Sequence, residues 1–127
     1  GFIPLSDMNG CLTVRDIFDC IEEVIGILRI ASVFMLFPER FQLRKETIYM
    51  NRKERKVKIM FIPPDGNSDP KEELLQFIGD IQNMYITKAA AEYSEMFKEY
   101  VNNNCTLSEL QNRAVMMKRD AFICGIS

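Results

Sequence analysis

The sequence predicts an α+β fold, mainly helical, with about four helices packed against one small antiparallel β-hairpin. Three observations predict it. Apolar residues recur at i, i+3 and i+4 spacing in four separate stretches, the mark of helices with one buried face. Between the first and second of these, residues 47–51 and 56–62 alternate apolar and polar side chains across a charged turn at 52–55. That is the period of half-buried strands joined as a hairpin. Clusters rich in Pro, Gly, Asn and Asp separate the stretches, and these residues favour turns.

Residues 2–5 are a short apolar entry, which Pro4 limits to an edge or extended segment. Ser6, Asp7, Met8, Asn9 and Gly10 form a turn cluster. The first helix starts at Thr13, with Asp16 three residues on, a variant of the capping box. Val14, Ile17, Phe18, Ile21, Val24, Ile25 and Leu28 make its buried stripe, and Arg15, Asp16, Asp19, Glu22 and Glu23 are expected to keep the other side wet. From residue 27 to residue 37 the chain is apolar nearly all round, so this half is expected to be buried as the central helix. The uncharged run at 30–37 is far short of the roughly 20 residues needed to span a bilayer. Pro38 ends the helix.

The apolar face of the hairpin, with Ile48, Met50, Val57, Ile59 and Phe61, is expected to pack on the long helix. A loop at 63–68 leads to a second helix, with Asp69 at N-cap, Pro70 at N1 and Glu72 at N3. Its stripe is Leu74, Leu75, Phe77, Ile78, Ile81 and Met84, and Gly79 within it suggests close packing. A third helix runs from about Thr87 until Asn102, Asn103 and Asn104 stop it. Thr106 and Glu109 form a capping box that opens the last helix. Leu107, Leu110, Ala114, Val115 and either Met116 or Met117 should face inward. The apolar tail at 121–127 either tucks onto the body or continues into a further part.

The 127 residues, 47% of them hydrophobic and 27% charged, suit one ordinary globular domain over residues 1–127. The start at Gly1-Phe2 suggests a fragment of a longer protein. There is no histidine, which removes the commonest general base and metal ligand, and with it Ser-His and Cys-His nucleophile systems. Cys11, Cys20, Cys105 and Cys124 contain no CxxC pair, so a structural zinc site is not expected. They read as free thiols of a cytoplasmic protein, with Cys20 a small buried hydrophobe.

Net charge is −2, yet residues 40–58 carry +6 and the remainder −8. Arg44, Lys45, Arg52, Lys53, Arg55, Lys56 and Lys58 are the candidate partner-binding surface, suited to an acidic partner, a phosphate or an anionic lipid. The competing reading is a solvated hairpin whose charges protect its edge. The glycines form no phosphate-binding loop. The carboxylates of the first helix lack a second cluster for a metal, and the loop at 65–69 lacks the calcium-loop glutamate because position 76 is Gln76. Phe41 and Tyr49 lie among cations, but a pI near 5.2 argues against nucleic acid.

The order of long helix, short strand, hairpin and helices resembles a protein-kinase C-terminal lobe. Residues 43–51, LRKETIYMN, are similar to the kinase stretch LKPENILLD, and residues 57–62, VKIMFI, to VKLIDFG. The resemblance implies where catalytic groups would stand. The kinase aspartate that accepts the hydroxyl proton, the asparagine that holds Mg²⁺ and the DFG aspartate fall at Gln42, Thr47 and Phe61, or Met60 with a slip of one. An amide cannot serve as the base, and an aromatic ring cannot hold a hard cation. A narrower resemblance runs from Leu12 to Leu110, to an uncharacterised bacterial domain found N-terminal to forkhead-associated domains. Ile48-Tyr49-Met50-Asn51, Val57-Lys58-Ile59 and Pro63-Pro64 carry it. It is also similar to the pseudokinase-like cytoplasmic domains of type VII secretion proteins. These resemblances imply a degenerate, kinase-like domain.

The expectation is therefore a non-catalytic protein-interaction or scaffold domain of a bacterial signalling or surface/secretion-apparatus protein. It has no catalytic residues, no cofactor, no metal, no membrane span in this segment and a protein as its partner. An atypical nucleotide- or metal-binding enzyme using Asp65 and Asp69, and a purely structural module, are the alternatives.

Overall fold

The computed structural model describes residues 1–33, 43–60, 70–103 and 105–127. The fold is α+β and mainly helical. Helices α1 (Val14–Val33), α2 (Pro70–Gln82), α3 (Lys88–Asn102) and α4 (Leu107–Ile123) accompany strands β1 (Ile3–Pro4), β2 (Ile48–Asn51) and β3 (Lys56–Ile59). The sheet is antiparallel in the order β1-β2-β3. The predicted hairpin is thus widened by one short strand, and Pro4 sits on the edge, where its missing N–H costs no ladder bond. The second arm is shorter than its alternation suggested, with β3 ending at Ile59; Phe61 and Ile62 lie outside the described residues. Ile48 pairs with Ile59 and Met50 with Val57. Ile48, Met50 and Val57 are buried, and β3 lies against α1.

Local signals set most helix ends. Thr13 Oγ1 accepts from the Asp16 N–H at 3.3 Å, and Asp16 Oδ2 accepts from the Thr13 N–H at 3.1 Å, the reciprocal pair of a capping box. Thr87 caps α3 through the Ala90 N–H, and Thr106 with Glu109 completes the box of α4. Asp69, the expected cap of α2, lies outside the described residues, although α2 does begin at Pro70. The C-terminus of α4 closes on Gly125, whose φ is +68°. The Gly125 N–H donates to Phe122 O at 3.2 Å and the Ile126 N–H to Ala121 O at 2.8 Å, a Schellman motif. The apolar tail therefore begins as helix, then tucks back, and the Thr87 hydroxyl donates to Ser127 O at 2.6 Å.

The core forms around α1, with Phe18 edge-on to Phe97 at 5.7 Å and to Tyr93 at 6.4 Å. Phe18, Ile21, Val24, Ile25 and Leu28 are buried, as are Phe77 and Ile78 of α2. Two packing expectations are corrected and a third is narrowed. Ile30 is 60% exposed, so apolar character all round α1 does not mean burial all round it. No described atom lies within 4 Å of a Cβ built at Gly79, whereas one at Gly26 would meet Gln111 Nε2 at 3.0 Å. The close approach is therefore between α1 and α4. On α4 it is Met117 that turns inward, with Leu110, Ala114 and Ala121, while Met116 is exposed and Val115 half-buried. No helix among the described residues is long and apolar enough to cross a membrane.

Candidate functional site

The acidic face of α1 is not wet. Asp16 and Asp19 are buried, because the hairpin turn and α4 close over them. Asp16 Oδ1 accepts from Arg55 Nη2 at 2.8 Å and Asp16 Oδ2 from Arg52 Nη2 at 3.1 Å. Asp19 Oδ2 accepts from Arg55 Nε, and Asp19 Oδ1 from Lys118 Nζ at 2.7 Å. Lys118 also reaches Glu22 at 2.8 Å, and Lys56 approaches Glu23 at 3.9 Å. Asp16 thus caps its own helix and anchors the hairpin, with its charge near the positive end of the α1 dipole.

The turn is shaped for this. Asn51 Oδ1 accepts from the Glu54 N–H at 3.0 Å, an Asx-type closure. The last turn residue, Arg55, has φ +56°. A side chain there costs about 1 kcal/mol or more in backbone strain. Here the conformation aims the guanidinium at both aspartates.

The seven candidate cations divide into two sets. Arg44, Arg52 and Arg55 are bound internally. Arg44 Nη1 meets Glu73 Oε2 at 2.6 Å, and the same oxygen accepts the Leu43 N–H at 3.1 Å. Lys53, Lys56 and Lys58 are exposed and Lys45 is half-buried. Lys53 has no partner among the described residues, and Lys58 Nζ lies 4.3 Å from the centroid of the Phe2 ring, a cation–π distance. Sequence reasoning missed Glu73 and Lys118 as partners. The opposite charges of the 40–58 segment and the rest of the chain were the available signal for Glu73; Lys118 and its partners both lie in the remainder, where that asymmetry gives no signal.

At the kinase-like positions, Thr47 is buried and its hydroxyl closes the turn before β2, accepting from the Arg44 N–H and donating to Arg44 O, both at 3.1 Å. Gln42 and Phe61 lie outside the described residues, as do Asp65 and Asp69. Among the described residues no group of three or more acidic or cysteine side chains is placed to hold a metal ion, and every buried side-chain polar atom has a partner. All four cysteines are free, and burial pushes the Cys20 thiol far up, out of nucleophilic range.

Burial alone would raise the Asp16 carboxyl, but the Thr13 N–H and the Arg55 and Arg52 guanidiniums outweigh it and hold it below the ordinary 3.8. A carboxyl lowered on folding contributes stability that is present above its ordinary value and lost as pH falls through the folded one. Lys118 is opposed by burial yet raised above 10.5 by Asp19 and Glu22; its contribution is complete below that value and lost above it. Urea denaturation against pH should therefore show a broad plateau and a fall below about pH 4. Asp16→Asn should flatten the acid limb; an unchanged acid limb would refute the assignment.

Comparison with protein-family models, curated proteins and solved structures gave no match for this chain.

Proposed function

We propose that this chain is a non-catalytic protein-interaction domain that meets an acidic partner on the outer face of its hairpin. The division of the hairpin's charge carries this reading. The guanidiniums of Arg52 and Arg55 turn inward to Asp16 and Asp19, while Lys53, Lys56 and Lys58 stand exposed. The buried carboxylates of α1 are thereby engaged as ion-pair partners, and the Thr47 hydroxyl is spent on a backbone turn; both favour a non-catalytic role. The resemblance to degenerate kinase-like domains beside forkhead-associated domains fits a cytoplasmic scaffold in bacterial signalling or in a surface or secretion apparatus.

The test separates the exposed lysines from the ion-paired arginines. A polyglutamate peptide is titrated into the protein at low salt, where surface charge is least screened. Saturable binding should vanish in Lys53→Glu/Lys56→Glu/Lys58→Glu, with an unchanged melting temperature. Equal binding by the triple variant would refute the surface. A reproducible rise in melting temperature with ATP and Mg²⁺ or Mn²⁺ would favour the enzyme alternative, since a ligand that binds the native state stabilises it.

A further inference from the structure

The basic hairpin does not end at its own edge. Asp19, which holds Arg55, also receives Lys118 of α4 and lies 3.7 Å from Arg15. Across this junction the start of α1 and the end of α4 enclose an open groove of about 570 Å³. Val115, Phe122 and Ile126 form its apolar wall, with Arg15 and Arg119 among its lining residues. Phe122 is 81% exposed and the neighbouring Ile123 72%, unusual for residues so large in a well-packed domain. The Arg15 side chain is 69% exposed, its nearest acid already shared with two other cations. Arg119 is exposed and has no partner among the described residues.

We propose that this groove is the anchoring pocket of the interaction surface, and that its occupant is an acidic amphipathic peptide segment of a partner protein. A bulky apolar side chain of that segment rests on Val115, Phe122 and Ile126, and carboxylates beside it meet Arg15 and Arg119. Apolar anchors fix such segments, and flanking charge selects them. The inference rests on the interaction reading above and adds the partner's chemistry.

Charge singles out this occupant. On α4 the face toward the groove carries Val115, Lys118, Arg119 and Phe122, with Lys118 and Arg119 on opposite flanks by helical spacing. A two-fold antiparallel pair of such helices brings each flank against its own copy, so Arg119 would face Arg119. A second copy is therefore disfavoured along α4.

The probe is a short, end-capped glutamate–leucine peptide of helical pattern, with its lysine–leucine counterpart as control, followed by ¹⁵N chemical shifts. The glutamate peptide should shift Val115, Phe122 and Ile126 saturably. Its affinity should fall about tenfold or more, equivalent to about 1.4 kcal/mol, in Arg15→Glu/Arg119→Glu and in Phe122→Ser. Both variants alter largely exposed positions and should stay folded; the first loses the Arg15–Asp19 approach, so its melting temperature is read beside its affinity. Shifts confined to Lys53, Lys56 and Lys58 would overturn the groove and leave the interaction reading standing; no saturable shift anywhere would overturn both. Equal binding of the lysine peptide, tighter binding to phosphatidylglycerol vesicles, or concentration-dependent self-association in sedimentation would each overturn the proposed occupant.

Discussion

Arg55→Ala should destabilise the domain by about 3 kcal/mol. Its side chain is the only described one that bridges Asp16 and Asp19, and both aspartates are buried. Removing one partner from a buried pair costs about 3–5 kcal/mol, because the remaining charge stays desolvated. Arg52 and Lys118 still contact the aspartates, which places the loss at the lower end. The substitution also isolates the backbone contribution. Alanine keeps a Cβ at φ +56°, whereas glycine does not, so Arg55→Gly should be about 1 kcal/mol more stable than Arg55→Ala. Urea midpoints of the three proteins decide this. A loss under 0.5 kcal/mol for alanine, the behaviour of a surface pair, would show that the aspartates do not depend on Arg55.

Phe18→Ala should cost about 4 kcal/mol, within the range for deleting a buried aromatic ring. Phe18 is inaccessible to solvent and meets both Tyr93 and Phe97 edge-on. Domains of this size have about 5–15 kcal/mol in total, so that loss takes a large share of the whole; Phe18→Leu, which retains much of the volume, should show a smaller loss of the same origin. A cycle with Phe97→Leu should give a coupling of about 0.5–1.5 kcal/mol. Zero coupling would mean that the rings fill space without the edge-to-face preference.

Legibility in the sequence followed the range of the interaction. The boxes at Thr13–Asp16 and Thr106–Glu109 span three residues each and formed as read. The hairpin's alternation and its charged turn also placed β2 and β3. The candidate site was harder, because most of its ion pairs join residues 29 to 99 positions apart. A helix face bearing Asp16, Asp19 and Glu22 reads as solvated unless the covering cations are known. The excess of positive charge at 40–58 was legible, and part of it is met within the chain. The end of α4 was misread differently. Its apolar residues concealed three helical positions before Gly125, although that glycine carried the stop signal.

The packing of α1 on α4 has a consequence for the order in which the domain can be made. Lys118 meets Asp19 across 99 residues, and Gln111 donates to the Glu22 carbonyl across 89. A ribosome adding about 5–20 residues per second takes roughly 5–20 s to travel that distance. Throughout that interval the side of α1 bearing Asp19, Glu22 and Gly26 has been synthesised before the helix that covers it. Nascent chains of this kind must finish folding after α4 leaves the exit tunnel, and a premature stop ahead of Lys118 leaves the first helix without its cover.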